Sequence, residues 1–268
     1  MRAITIAIAL AILIPAAFGY TFSGSYELGY LAPLSHKIQF GETGTYFDYV
    51  ADGGQDVLFP FSRYSLEFGW GDNALIFLYQ PLRLETRELL AEDIVVDSLT
   101  FPAGTPMRFL YNFPFYRVSY LHDFADDPET ELAAGISFQI RNATIEFESE
   151  DGELLRTNRN VGPVPILKFR GRKSLSDNFW IGSEIDGFYA PISYLNGDDN
   201  EVVGAILDGS LRLGLKLPEN SDAFLNLRYI AGGADGTSDN DKGPGDGYTK
   251  NWLHFGSVSA GLIHTFSW

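Results

Sequence analysis

One segment of the sequence, residues 203–217, alternates between apolar residues and polar or small ones. Leu207 and Leu211 fall on one face, whereas Asp208 and Arg212 fall on the other. Successive side chains of a strand point to opposite faces, so a period of two over this length predicts a β-strand rather than a helix. The run is also long, because strands of soluble proteins usually have about five or six residues.

The same alternation recurs from residue 35 onward, separated by connections that are alternately short and long. The ten runs lie near 35–49, 61–70, 74–90, 105–122, 131–147, 161–173, 179–195, 202–217, 223–231 and 251–268. The short links are 71–73, 123–130, 174–178 and 218–222, and the long, more polar ones are 50–60, 91–104, 148–160, 196–201 and 232–250. Strict alternation places tight turns at one end of a barrel and large loops at the other.

This pattern predicts an all-β fold: a closed antiparallel up-and-down transmembrane β-barrel of about ten strands, with eight or twelve as alternatives. Closure is required because hydrocarbon offers no partner to an unpaired backbone amide or carbonyl. A secreted lipocalin-like barrel is the soluble alternative, since alternation alone does not say which face is wet. After residue 19 no stretch approaches the 18 or so apolar residues of a membrane-spanning helix.

The first residues have the parts of a secretory signal peptide. Met1 and Arg2 precede an apolar run over residues 4–14, and a small-residue stretch ends at Gly19. A basic start, a short apolar core and a small-residue exit predict cleavage of residues 1–19. Residues 20–34 also alternate and could be a further strand, an N-terminal arm or a plug, and the barrel is expected to occupy residues 35–268.

Composition limits the partners of the chain. The sequence has 19 Lys plus Arg against 35 Asp plus Glu, a formal net charge of −16. Such a balance argues against a nucleic-acid partner, because phosphate binding needs clustered cations. With no cysteine, the chain can form neither a disulfide nor a thiolate metal site, nor carry a lipid-modified Cys anchor.

The C-terminal run ends on an aromatic residue, Trp268, with Leu262 and Phe266 on the same face. This pattern resembles the C-terminal signature of Gram-negative outer-membrane β-barrel proteins, although Trp268 replaces the usual Phe and His264 replaces an apolar residue. The resemblance implies location in the outer membrane, contact with its lipid and lipopolysaccharide, and recognition of this terminus by the barrel assembly machinery. It singles out no characterised member, so no catalytic or transport residue is carried over.

Charged residues on the polar faces of the strands predict a row across the lumen. Pairing about the short turns sets Lys168 opposite Glu184, Glu184 beside Arg212, and Arg212 beside Arg228, with Asp186 and Asp208 nearby. Arg63, Glu67, Arg108 and Arg170 are further candidates for the lumen. Buried charges persist only when paired, so an ion-pair ladder filling a narrow barrel is favoured. An anion-attracting constriction is the alternative.

Prolines at 81, 114, 163 and 165 lie inside predicted strands, where Pro removes a ladder donor. The apolar residues change parity at Pro81, from Leu75, Phe77 and Tyr79 to Leu82 and Leu84. A β-bulge is expected there and at some of the other prolines.

No catalytic set emerges from the sequence, and no cofactor is expected. His36, His122 and His264 are predicted near the periplasmic rim, and His254 near the outer end. Asp235, Asp239 and Asp241 are weak calcium candidates, because their loop does not match the EF-hand spacing. The function expected is therefore a non-enzymatic outer-membrane scaffold with acidic external loops and a narrow ion-paired lumen. A narrow channel or transporter for small or apolar solutes, and a lipid-modifying enzyme using His254, are the alternatives.

Overall fold

The computed structural model describes residues 19–191, 202–237 and 245–268, and it is built from β-strands. In chain order the strands are β1 Tyr20–Phe40, β2 Phe47–Asp48, β3 Phe59–Trp70, β4 Asn73–Gln80, β5 Arg83–Leu89, β6 Ile94–Val96, β7 Leu99–Phe101, β8 Pro106–Asn112, β9 Phe115–Asp123, β10 Thr130–Ser149, β11 Leu155–Ser174, β12 Phe179–Pro191, β13 Val203–Leu217, β14 Ser221–Thr237 and β15 Tyr248–Ser267. Among these described residues, no helix is long and apolar enough to cross a bilayer.

Ten antiparallel strands close into a barrel, which confirms the predicted fold class. The order around the barrel is β1, β3, β4, β9, β10, β11, β12, β13, β14 and β15, and β15 pairs with β1. Thr21 is the partner of Ser267, so the first and last strands both meet the short-turn end. The tight turns lie together at that end and the longer loops at the other, as in outer-membrane barrels.

The apolar face of each strand points outward at the level of the membrane. Leu207 and Leu211 are 44% and 49% exposed, whereas Asp208 between them is 4% exposed and lies inside the barrel. Rings form a girdle at the short-turn end, where Tyr20 stacks on Phe68 with centroids 5.8 Å apart. An apolar outer face flanked by aromatic residues suits a lipid environment, and it is the reverse of the soluble alternative.

Residues 20–34 are the first part of a barrel strand, β1. The predicted first run, 35–49, is therefore wrong: β1 ends at Phe40, and residues 41–46 form a turn before the short β2. The alternation of residues 20–34 carried this signal, but its glycine, serine and alanine residues weakened the apolar count. Residues 1–18 of the predicted signal peptide lie outside the described residues.

The bulges predicted at the prolines are absent from this part of the structure. Pairing of β4 with β9 and of β5 with β8 keeps one register across Pro81 and Pro114, and pairing of β10 with β11 is uninterrupted through Pro163 and Pro165. Even-numbered residues of β4 and β5 face inward throughout, from Ala74 to Leu84.

The apolar residues change parity at Pro81 because the surroundings change, not the backbone. Below this level the outside is lipid and the lumen is ionic. Above it, the strands rise beyond the membrane, so Leu82 and Leu84 pack inside while Arg83 and Glu85 face water. In the external half of the barrel, apolar residues therefore point inward and charged residues outward, which is the reverse of the half that crosses the membrane.

A register shift does occur in β1, between Pro33 and Ser35. Leu31 and Pro33 face inward before it, and His36 and Ile38 face inward after it, which is the change of face that one extra residue produces. Leu34 is left on the outer surface. The bulge therefore sets His36 inside the external half of the barrel.

Candidate functional site

The lumen at the level of the membrane contains a layer of paired charges. Lys168 on β11 lies 2.7 Å from Glu184 and 2.9 Å from Asp186, both on β12. Arg212 on β13 reaches the other oxygen of Glu184 at 2.6 Å. Glu184 therefore joins three neighbouring strands, as the predicted row requires.

Asp208 is the centre of a second group. Arg228 donates two hydrogen bonds to its carboxylate, of 2.6 and 2.7 Å, and Arg117 lies 3.1 Å away. Arg117 also contacts Asp186 at 2.8 Å, and Arg228 donates to Gln80 at 2.6 Å. Because β9 and β4 lie across the barrel from β13 and β14, these contacts cross the lumen.

Arg170 and Glu27 form two further groups of contacts in the lumen. Arg170 on β11 forms a bidentate pair with Glu67 on β3, of 2.6 and 2.9 Å, and donates to Glu131 at 2.7 Å. Glu27 on β1 accepts hydrogen bonds from Asn226 at 3.1 Å and from a β15 serine, and lies 3.8 Å from Arg63. The bidentate Arg170–Glu67 pair fixes the separation of β11 and β3 across the lumen, whereas Glu27 joins strands on either side of β1 in the wall.

In the described part of the chain this network combines six cations with six carboxylates, so it carries no net charge. The cations are Arg63, Arg117, Lys168, Arg170, Arg212 and Arg228, and the carboxylates are Glu27, Glu67, Glu131, Glu184, Asp186 and Asp208. A neutral layer of this kind does not attract anions as a ring of unpaired cations would.

The predicted registers are wrong by two residues in each of three hairpins. Lys168 is the ladder partner of Asp186, and Arg212 is the partner of Gly182 and of Asn226. The faces are right because a shift of two preserves parity. Arg228 is bound by Asp208 rather than standing beside Arg212, since the β13–β14 turn closes at Leu217 and Ser221 and not one residue later.

Arg108 does not face the lumen, which corrects its assignment. It lies on the outer surface of β8, where it contacts Glu148 and lies 3.1 Å from Glu146 and 3.9 Å from Glu85. Its neighbours Met107 and Phe109 are the residues that point inward. The prediction failed because Arg108 lies above the membrane, where charged residues face water.

Aromatic side chains close the lumen below the charge layer. Trp180 is 2% exposed, with its ring centroid 6.3 Å from that of Phe224, and the guanidinium of Arg172 lies 4.0 Å over the indole. Gly214 makes room for this ring, because a β-carbon there would overlap the indole. These rings therefore occupy the periplasmic end of the lumen on the β12–β14 side.

Above the charge layer, the loop between β1 and β3 folds into the barrel. Phe47 and Tyr49 from this loop join an apolar core with Phe109 and Phe147 from the facing wall. The β6–β7 hairpin adds Ile94, Val96 and Phe101 to the same core. These residues fill one side of the external half.

His36 contacts two residues of this loop, Gln55 and Tyr49, and holds the loop against β1. Its Nδ1 lies 2.8 Å from Oε1 of Gln55, and its ring stacks on Tyr49 at 4.5 Å between centroids. The amide oxygen is an acceptor, so Nδ1 carries the proton. His36 lies beyond the lipid-facing part of β1, because the outward residues Ser35 and Lys37 are polar. Burial lowers the pKa of His36 to about 4.

The other predicted histidines lie at the two rims. His122 and His264 are at the short-turn end, where they contact Asn73 at 3.1 Å and Ser221 at 2.9 Å. His36 is not there, because β1 starts at residue 20. His254 lies near the outer rim, 2.6 Å from the hydroxyl of Tyr229, and forms no ion pair with a described carboxylate.

The calcium candidates form no site that the structure describes. Asp235 is paired with Lys250 at 3.4 Å and accepts a hydrogen bond from Tyr248, while Asp239 and Asp241 lie outside the described residues. Within the described ranges no group of three or more His, Cys, Asp or Glu could hold a metal ion.

The C-terminal residues lie at the seam that closes the barrel. Leu262 and Phe266 face lipid, 58% and 54% exposed, and the backbone of Trp268 is hydrogen-bonded to that of Tyr20. Recognition of these residues by the assembly machinery stays a prediction.

The sequence did not single out three members of the charge layer: Glu27, Glu131 and Gln80. Glu27 was not assigned to a face, because the structure of residues 20–34 was left open. The sequence does place Arg117 in the lumen, because it alternates with Tyr116 and Val118 on β9. For Gln80 and Glu131 the only signal was their position in the alternation, which predicts an inward direction. Nothing in the sequence shows which strand lies across the lumen.

Comparison with known proteins gives likeness in structure alone. No family profile and no curated protein matches the sequence. The outer-membrane protease OmpT of Escherichia coli is similar over 92% of this chain and 97% of its own, with a TM-score of 0.51 at 12% identity. The transport unit of the autotransporter AIDA-I of Escherichia coli has a TM-score of 0.39 at 9% identity, covering 99% of this chain and 97% of that one. Ail, the attachment invasion locus protein of Yersinia pestis, has a TM-score of 0.36 at 11% identity, covering 90% and 98%.

The chain has the fold of an outer-membrane β-barrel. Its closed ladder, outward apolar belt and aromatic girdle agree with the likeness to OmpT in fold. At 12% identity this likeness transfers no activity to this chain.

Proposed function

We propose that this protein is a non-conducting outer-membrane scaffold that holds a rigid acidic surface outside the cell. The observation that supports it is the series of side chains that obstruct the barrel axis. Trp180 and Phe224 occupy the base, the neutral charge layer crosses the middle, and the folded loop around Tyr49 fills one side of the external half.

The external surface supports the second part of the proposal. Acidic side chains are exposed over the loops and strand ends beyond the membrane: Glu42, Asp52, Asp56, Glu88, Glu92, Asp93, Glu150, Asp151, Glu153 and Asp246. Their field attracts cationic partners over about a Debye length, roughly 8 Å at physiological ionic strength. Divalent cations bridging this surface to lipopolysaccharide are one such partnership, in keeping with a membrane whose outer leaflet is anionic.

The alternatives have less support. A channel needs an open path along the barrel axis. Ion pairs that cross the lumen, such as Arg170–Glu67, obstruct this path. A lipid-modifying enzyme needs a nucleophile, a base and an orienting group within reach of one another. His254 has Tyr229 as a partner, and the described residues supply no orienting carboxylate.

Planar-bilayer recording tests the closed axis. Folded insertion is first established by the heat-dependent shift of the band on a gel. The wild-type protein should give no single-channel currents. The variant Glu67→Ala/Arg170→Ala, which removes one ion pair across the lumen, should also give none because the aromatic layers persist. Regular unitary currents from the wild-type protein would refute the proposal.

Binding of a polylysine probe to the protein in neutral vesicles tests the acidic surface. Binding should weaken steeply as salt rises, and Glu150→Gln/Asp151→Asn should weaken it further. Lys173→Gln, at the periplasmic end, is the matched control and should leave it unchanged. Binding that is insensitive to salt would contradict an electrostatic platform.

A further inference from the structure

Among the described residues, the ladder between β11 and β12 ends before either strand does. The last ladder pair is Leu167 with Gly187, yet β11 continues to Leu155 beside β10, and β12 continues to Pro191 beside β13. Residues 163–166 of β11 and residues 188–191 of β12 are therefore described but form no ladder pairs with each other. This opening, the β11–β12 seam, begins at a residue that faces lipid, because Leu167 is 56% exposed.

The edge of β11 at this seam lacks two of its backbone amide hydrogens. Pro163 and Pro165 pair with β10 in an unbroken ladder, so the amide hydrogens that they lack belong to the seam side. Proline on an edge prevents another strand from adding to it. With Leu167 and the exposed Tyr189 at its lower end, the seam suits hydrocarbon better than an extended peptide.

Behind the seam the inner wall is apolar and only partly covered. Phe188 on β12, Ile206 on β13, Ile230 on β14 and Val164 on β11 face inward above the charge layer and are half-buried. On the opposite side of the barrel, inward residues at this height are fully covered by the folded loop, as Ile38 is. The half-buried group thus borders a recess.

The floor of this recess is closed. Asp186 and Asp208 lie directly below Phe188 and Ile206 on the same strands, and both are held by Arg117. A molecule that enters from the side therefore has no continuation toward the periplasm.

We propose that the β11–β12 seam admits a hydrocarbon chain from the outer leaflet into the recess formed by Phe188, Ile206, Ile230 and Val164. The seam supplies the entrance, the two prolines remove polar groups that a chain would have to desolvate, and the half-buried side chains supply the contact surface. This site goes beyond the scaffold function, because a side pocket and a closed axis are independent features.

Photo-crosslinking tests the proposal on the full chain in vesicles. One arm uses a phosphatidylcholine with a diazirine near the end of one acyl chain, and the other uses a free fatty acid carrying the same group. Adducts on Phe188, Ile206 or Ile230 are expected, together with adducts on the lipid-facing Leu211, which serves as the internal positive control. Inner adducts from the phospholipid identify a membrane lipid, and inner adducts from the acid alone identify a free apolar ligand.

Closing the seam tests the entrance. Because the chain has no cysteine, Pro165→Cys/Tyr189→Cys can be joined by a bismaleimide across the second pair of positions beyond the end of the ladder. Joining them should abolish the inner adducts and spare those on Leu211. The matched pair Phe169→Cys/Ile185→Cys, existing ladder partners below the seam, should leave both unchanged. Adducts confined to outward residues in the wild-type protein would overturn the proposal.

Discussion

Removal of one carboxylate from the charge layer should destabilise the barrel strongly. Asp208 accepts two hydrogen bonds from Arg228 and lies 3.1 Å from Arg117, and its side chain is 4% exposed. Asp208→Asn keeps the shape but leaves the buried Arg228 without its paired carboxylate and Arg117 with Asp186 alone. Breaking a buried ion pair by removing one partner costs about 3–5 kcal/mol, so we expect a loss in this range.

Asp222→Asn is the matched control. Asp222 pairs with Arg172 at 2.7 Å, but at the periplasmic rim, where the arginine is 35% exposed. Pairs open to solvent contribute about 0–1 kcal/mol. The double variant Asp208→Asn/Arg228→Met should recover part of the loss, because it removes the uncompensated cation.

Denaturant unfolding of the barrel in phospholipid vesicles, followed by tryptophan fluorescence, gives these differences by linear extrapolation. Asp208→Asn should unfold at markedly lower denaturant than Asp222→Asn. Equal midpoints for the two variants would refute the argument that the layer is a dry, mutually compensated network.

Two other predictions concern the layers on either side. The pKa of His36 is about 4 in the folded protein against about 6.5 unfolded, so the stability that neutral His36 contributes is present above pH 6.5 and lost as pH falls toward 4. Between pH 7 and pH 5 the wild type should lose about 2 kcal/mol more than His36→Asn; parallel unfolding curves at the two pH values would contradict burial of this ring. Gly214→Val should displace the Trp180 indole, cost about 1–3 kcal/mol and shift the fluorescence to the red. Gly209→Val, with open space at its β-carbon, is the control, and an equal effect in both would show that packing against Trp180 is not the cause.

The amino-acid pattern alone was enough to predict the class of fold, the alternation of short turns and long loops, and the inward or outward direction of most membrane-level side chains. The reason is that the side-chain period of a strand is fixed at two, and lipid outside a closed barrel makes that period visible as apolar and polar residues. Lys168, Glu184 and Arg212 could be placed together on this ground, even though the predicted register was wrong by two residues.

The strands that face each other across the lumen, and the height at which the lipid-facing surface ends, became known from the folded barrel. Arg170 meets Glu67 because curvature brings β11 opposite β3, and no local pattern encodes that distance. Arg108 and the residues after Pro81 were misread for a related reason. Beyond the membrane, water replaces lipid outside the barrel, and the same period of two then places apolar residues inside and charged residues outside.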